Sequence, residues 1–152
     1  MNHISIKLSQ STGILLEHAR SAGMSDQAIL AAVEAKDSTA FQQIQDERFK
    51  YENFISYADE HGERLAEAVK EGYRLTFNTR NGLKSWLEQA FDLKSGQDFE
   101  VGEGIIEKLR LTEQQAELVE QRLAVNWTVA ETKEIPGGKE LTLKLRAPEV
   151  RI

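Results

Sequence analysis

Hydrophobic residues along this chain change their period part-way through. Up to about Glu71 they recur every three or four positions, the spacing of one helix face. Beyond it, short stretches of strict alternation interleave with further helical stripes. The pattern predicts an α+β fold: a helical N-terminal part, residues 1–71, followed by a mixed strand and helix part, residues 72–152, ending in a β-hairpin. The two parts read as subdomains or as one continuous domain, with the change near Gly72.

In the first part, Ile4, Ile6 and Leu8 alternate with polar residues, as in a short edge strand or the entry to a helix. Ser9 or Ser11 is placed to cap a helix through Ile14, Leu15, Leu16 and Ala19. Ser25 caps a second helix with Ile29, Leu30 and Val33 on its apolar side, and Asp37 and Ser38 stop it. From there Phe41, Ile44, Arg48, Tyr51, Ile55, Ala58, Gly62, Leu65 and Val69 follow at alternating spacings of three and four, a heptad-like stripe. Two positions flaw it. Arg48 is charged, and Gly62 costs a helix interior about 1 kcal/mol relative to alanine. The segment reads as one long helix or as two broken near His61–Gly62. Short, imperfect heptads usually pack within their own chain. The sharper reading makes Phe41, Ile44, Tyr51, Ile55, Leu65 and Val69 an interaction stripe for a partner or a second copy.

Past Gly72, Tyr73, Leu75 and Phe77 alternate with polar residues and predict a half-buried strand. Thr79 caps the next helix, whose stripe is Leu83, Trp86, Leu87, Ala90 and Phe91. Phe99 and Val101 predict a second strand, Gly102 and Gly104 a turn, and Ile105, Leu109 and Leu111 a third strand. Thr112 with Gln115 forms a capping box, and Leu111 with Ala116 the matching hydrophobic staple, for a helix with Ala116, Val119 and Leu123 inward. Trp127 and Val129 alternate in one strand of the final hairpin; Leu141, Leu143 and Leu145 alternate in the other. Ile135-Pro136-Gly137-Gly138 supplies the turn.

Composition narrows the classes of function. The chain has 152 residues, 40% of them hydrophobic and 29% charged, which suits a folded globular protein. It has no cysteine, so disulfides, thiolate metal sites and cysteine nucleophiles are excluded. The formal net charge of −6 sets the whole molecule against phosphate backbones, making nucleic acid an unfavoured partner. No basic start and apolar core resembling a leader opens the chain, and the run Ile14-Leu15-Leu16 is too short for a membrane span. The expectation is a cytoplasmic protein without membrane contact.

Candidate chemistry is sparse. The three histidines, His3, His18 and His61, show no metal-binding spacing. His61 lies in the run Asp59-Glu60-His61-Gly62-Glu63, which reads as a solvated charge run at a helix break. No G-x-S-x-G elbow or Walker motif occurs, and no cofactor is implied. The one junction with anion-binding character is Thr79-Arg80-Asn81-Gly82-Leu83-Lys84, where a strand runs into a helix N-terminus flanked by Arg80 and Lys84. Leu83 between Gly82 and Lys84 rules out a phosphate-binding loop. Thr79, Arg80, Asn81, Gly82 and Lys84 are therefore candidates for an anion or partner site, with helix capping as the plain alternative. The C-terminal helix and hairpin invite comparison with a winged helix, but Glu113, Glu117 and Glu120 give that helix an acidic face.

These features favour a non-enzymatic protein-interaction or regulatory module, in which the long stripe or the hairpin edge meets a protein partner or a second copy. The alternatives are nucleic-acid binding through Arg80–Lys84 and the hairpin, and an enzyme or small-molecule binder with an anion pocket at the same junction.

Overall fold

The computed structural model describes residues 6–146, and its fold is α+β. Ile4 and His3 of the sequence reading lie outside those residues. The first strand, β1 (Lys7–Leu8), runs directly into α1 (Gln10–Ser21), capped by Ser9, whose hydroxyl accepts from the Thr12 amide. Ser25 caps α2 (Asp26–Ala35) in the same way through the Ala28 amide. These caps satisfy amides that the first helical turn leaves without partners.

The heptad-like stripe does not form a long helix. After α2 comes a single 3-10 turn, Ser38–Phe41, and then irregular chain as far as Asn53. Asp46 explains much of this: its carboxylate accepts from the amides of Arg48 and Phe49 at 2.8 and 2.9 Å, a local turn that competes with helix. Helix resumes as α3 (Phe54–Glu60), breaks at His61–Gly62 where Gly62 takes φ +67°, and continues as α4 (Leu65–Glu71). The reading of two helices broken at His61–Gly62 holds for the second half of the stripe only.

Nor is the stripe a surface. Phe41, Tyr51, Ile55, Leu65 and Val69 are buried in this chain's own core, and Ile44 is half-buried against it. Phe41 stacks on Tyr51 with ring centroids 4.8 Å apart, and Phe54 meets both edge-on. The apolar spacing therefore reflects an aromatic cluster folded back on α1 and not a seam for a partner.

The second strand, β2 (Arg74–Leu75), pairs in parallel with β1. The strand expected over Tyr73–Phe77 ends early. Tyr73 and Leu75 are buried as the alternation requires, but Phe77 faces outward and Asn78 takes the buried position instead. The next helix, α5 (Arg80–Phe91), lies against α1, with Leu83, Trp86 and Leu87 inward. β3 (Glu100–Gly102), β4 (Ile105–Leu111), β5 (Trp127–Ile135) and β6 (Gly138–Leu145) form one antiparallel sheet in the order β3-β4-β6-β5. α6 (Glu113–Arg122) packs on it through Ala116 and Val119, with the expected capping box at Thr112 and Gln115.

Two details of the sheet depart from plain alternation. Lys108 adopts φ +59° where the β4–β6 register shifts, so Ile106, Leu109 and Leu111 all reach the core, while Ile105 does not. A second register shift beside Ala130 pairs Glu131 with Thr142 and Thr132 with Leu141, displacing the simple cross-strand order of the hairpin. The hairpin turn is as expected: Pro136 leads into Gly137 at φ +82°, the corner of a type II turn. The buried apolar residues form one cluster from Ile6 to Leu143, continuous across Gly72.

Candidate functional site

Two polar hubs tie the halves of the sequence together. The first centres on Glu17 in α1, a carboxylate that is only 4% exposed. Its Oε2 accepts from the Tyr73 hydroxyl at 2.5 Å, from Arg20 at 3.0 Å and from Arg122 at 3.4 Å. The Tyr73 hydroxyl in turn accepts from the Trp86 indole N–H at 2.8 Å, and the Arg122 guanidinium lies 4.7 Å from the Tyr73 ring centre. Burial, with the neighbouring Glu17 charge, pushes the Tyr73 phenol well above its usual range, so it is a fixed proton donor. Burial works to lower the Arg20 pKa, but Glu17 and Asp26 outweigh it and hold the guanidinium above its ordinary value. The hub joins α1, α5 and α6, and reaches the surface through Arg20, whose second partner is the exposed Asp26.

The second hub centres on Asn78, 1% exposed. Its side-chain carbonyl accepts from the Ala124 amide at 3.0 Å, and its side-chain N–H donates to Gln10 Oε1 at 2.9 Å. Its backbone amide donates to Asn126 Oδ1, and its backbone carbonyl accepts from the Asn126 side chain and the Trp127 indole. One residue thus locks together the start of α1, the start of α5 and the α6–β5 loop. Full satisfaction makes such a hub rigid.

Over this hub lies an open groove of about 360 Å³. Phe77, Thr79, Arg80 and Asn81 from the β2–α5 junction line it together with Gly104, Trp127 and Leu145 from the sheet. Phe77 is 57% exposed and Leu145 is 45% exposed, and Val125, one residue before Asn126, is 66% exposed. Among the described residues only Tyr57 joins these three as an exposed large apolar side chain. Leu145 stands outward although alternation places it with Leu141 and Leu143, because β6 ends there at the rim of the sheet.

The candidate junction residues part company at this groove. Thr79 is the α5 cap, its hydroxyl accepting from the Gly82 amide at 3.0 Å. Arg80 and Asn81 line the groove and are exposed. Gly82 faces the Gln10 side chain, whose nitrogen would lie 1.9 Å from a Cβ at that position. Gln10 also accepts from the Thr79 amide at 2.9 Å. The start of α5 is therefore closed by the chain's own amide side chain. Lys84 turns along the helix toward Glu88, 3.6 Å away, and takes no part in the groove. Of the other cations, Arg74 donates to the Leu123 and Glu120 carbonyls at the end of α6, while Arg146, adjoining the lining residue Leu145, donates to the Val125 carbonyl.

Sequence reading missed Asn78, Asn126 and Gln10 as a unit, and with them the outward turn of Phe77. The Glu17 hub carried no local signal, since its partners lie far apart in sequence.

His18 is a third feature that spacing did not reveal. It is nearly buried, stacks on Phe49 at 4.1 Å between centroids, and donates from Nδ1 to the Tyr51 hydroxyl at 2.6 Å. The Tyr51 hydroxyl spends its own proton on the Leu15 carbonyl at 2.8 Å, which fixes that direction. Burial lowers the His18 pKa below 6.5; Asp46 opposes the shift and Arg48 adds to it. Burial also raises the Tyr51 phenol, with Asp46 in support. His61 is exposed and stacks on Tyr57.

The chain matches no protein family, no curated protein and no solved structure. Among the described residues no helix is long and apolar enough to cross a membrane, and no three His, Asp or Glu side chains gather as metal ligands would.

Proposed function

We propose that this chain is a non-enzymatic interaction module whose docking site is the groove between the β2–α5 junction and the end of β6. One observation carries the reading: two exposed large apolar side chains, Phe77 and Leu145, line one groove together with the fully hydrogen-bonded Asn78. Water contact with such side chains is a standing cost, and a rigid floor lowers the entropy lost when a partner covers them. The hairpin edge is a weaker dock. β5 bulges beside Ala130 and exposes Glu131, Lys133 and Glu134, features that oppose strand addition. Arg74 is held at the end of α6 and Lys84 by Glu88, so neither joins Arg80 in a basic patch, which speaks against a nucleic-acid surface. In the groove, Thr79 is committed to capping and the nearest charge is Arg80, a poor basis for acid–base chemistry.

A selection of displayed random peptides on the immobilised protein tests the reading. Enrichment on the wild type that disappears on a Phe77→Ser, Leu145→Ser double variant is the expected result. Enrichment indifferent to that change would locate binding elsewhere and end the proposal.

A further inference from the structure

The lining of the groove has a charge character opposite to that of the chain. The protein as a whole carries 25 acidic against 19 basic residues. None of the groove's lining residues is acidic, and one, Arg80, is basic and exposed. Lys84, one turn further along α5, is drawn away to Glu88, so Arg80 is the cation presented at the groove itself. In the same lining, the exposed Phe77 and Leu145 offer apolar contact. Elsewhere the exposed surface of α6 is acidic and would repel a carboxylate-bearing chain, which leaves this end of the molecule as the favoured approach.

Resting on the docking role proposed above, we infer that the groove takes a peptide segment that places a large apolar side chain next to an aspartate or glutamate. The apolar group covers Phe77 and Leu145 while the carboxylate pairs with the Arg80 guanidinium. An arginine fork can hold a carboxylate through two parallel hydrogen bonds, so position and charge are read together. Phe77 and Arg80 are three residues apart around the same helix start, and Asn78 between them is clamped by its hub, so their spacing is set before the partner arrives. The lining contributes to specificity by setting no acidic side chain against the incoming carboxylate.

Random twelve-residue peptides selected on the wild-type protein, then measured singly by fluorescence anisotropy on wild type, Phe77→Ser and Arg80→Glu, test this. Both positions are exposed, so both variants retain the fold, which circular dichroism verifies. The expected result is enrichment of sequences with Asp or Glu beside Leu, Ile, Phe or Trp. Their affinity falls at least about 10-fold in Arg80→Glu and in Phe77→Ser, in line with loss of a charge pair or an anchor. Four results overturn the inference. Neutral or basic peptides that depend on Phe77 and ignore Arg80 would leave the docking role standing and remove its charge rule. Peptides that ignore both residues, or no enrichment, would remove both proposals. Tighter binding of a single-stranded oligonucleotide than of any peptide, lost in Arg80→Glu, would assign the groove to nucleic acid. Light scattering on the unliganded protein closes the remaining route: a dimer broken by Phe77→Ser would give the site to a second copy.

Discussion

The Glu17 and Asn78 hubs solve one problem in two ways. Each buries a polar side chain and joins segments far apart in sequence. Around Glu17, the charges are answered by arginines and the rings of Tyr73 and Trp86 close over the site, leaving no apolar surface exposed. Around Asn78, neutral amides answer one another, and the surface above them is left to Phe77 and Leu145. The first arrangement is complete in burial but leaves Arg122 Nε without a partner among the described residues. The second is complete in hydrogen bonds and incomplete in burial. Polar satisfaction tells where the fold is held; leftover apolar exposure marks the place at which we propose that it meets a partner.

The largest expected effect breaks the first hub. Glu17→Ala leaves Arg122, side chain 15% exposed, without its carboxylate, and strands the Tyr73 hydroxyl proton. Its Nε already lacks a partner among the described residues. Removing one member of a buried charge pair costs about 3–5 kcal/mol, so the urea midpoint should fall steeply or the fold be lost. A loss below about 1 kcal/mol would mean that water already reaches these charges.

Next comes Asn78→Ala. It orphans the buried Ala124 amide and frees the Gln10 side chain, but strands no charge. About 2–3 kcal/mol is expected by the same measurement, smaller than for Glu17. The backbone bonds of residue 78 to Asn126 and Trp127 survive the change, which is why the loss stays below that of the charged hub. If Asn78→Ala proves the costlier of the two, the neutral hub and not the ionic one is the main clamp between the halves.

A third, gentler effect is one of pH. The folded His18 pKa lies below 6.5, so the unfolded chain binds the extra proton first as pH falls. The contribution of neutral His18 is therefore whole above pH 6.5 and is lost progressively below it, down to the folded pKa. Asp46, which faces the same ring, is held below 3.8 by the amides of Phe49 and Arg48 and stays ionised through that window. Denaturation midpoints between pH 7.5 and 5 should decline in the wild type and decline less in His18→Gln. Parallel curves for the two proteins would place the titrating group elsewhere.

What the sequence disclosed follows the range of the interactions involved. The hairpin turn at Pro136-Gly137, the caps at Ser25, Thr79 and Thr112, and the helix break at Gly62 rest on neighbours within four residues, and all stand in the structure. The stripe from Phe41 misled because its spacing satisfies a helix while Asp46 bonds its own backbone and the aromatics pack on one another. The sheet's inward order in β4 was obscured by a single residue, Lys108, whose left-handed backbone resets the phase. Of the candidate site, Thr79, Arg80 and Asn81 were found by the logic of a helix start; what makes the place a groove came from Gln10 and Asn126, both remote in sequence. The interaction stripe and the junction exchanged roles, since the apolar residues that looked available are buried and the ones that looked buried are not.

The smallest expected effect on stability sharpens the comparison most. Phe77→Ser removes a large aromatic ring from a position where alternation would bury it, yet the ring is 57% exposed and the Asn78 hub holds the backbone without it. Urea denaturation should therefore shift by no more than about 0.5 kcal/mol, the range of an ordinary surface substitution. A buried phenylalanine would cost several times more, about 3 kcal/mol or above for removal of the ring. The same substitution made at Phe41, fully buried between Tyr51 and Phe54, provides that reference within one protein. A near-zero cost at Phe77 beside a large one at Phe41 would show that the fold has no need of the exposed ring, and a side chain that the fold does not need is free to serve a partner. A cost at Phe77 approaching that at Phe41 would mean that the ring closes over the Asn78 hub in solution, leaving no groove to fill.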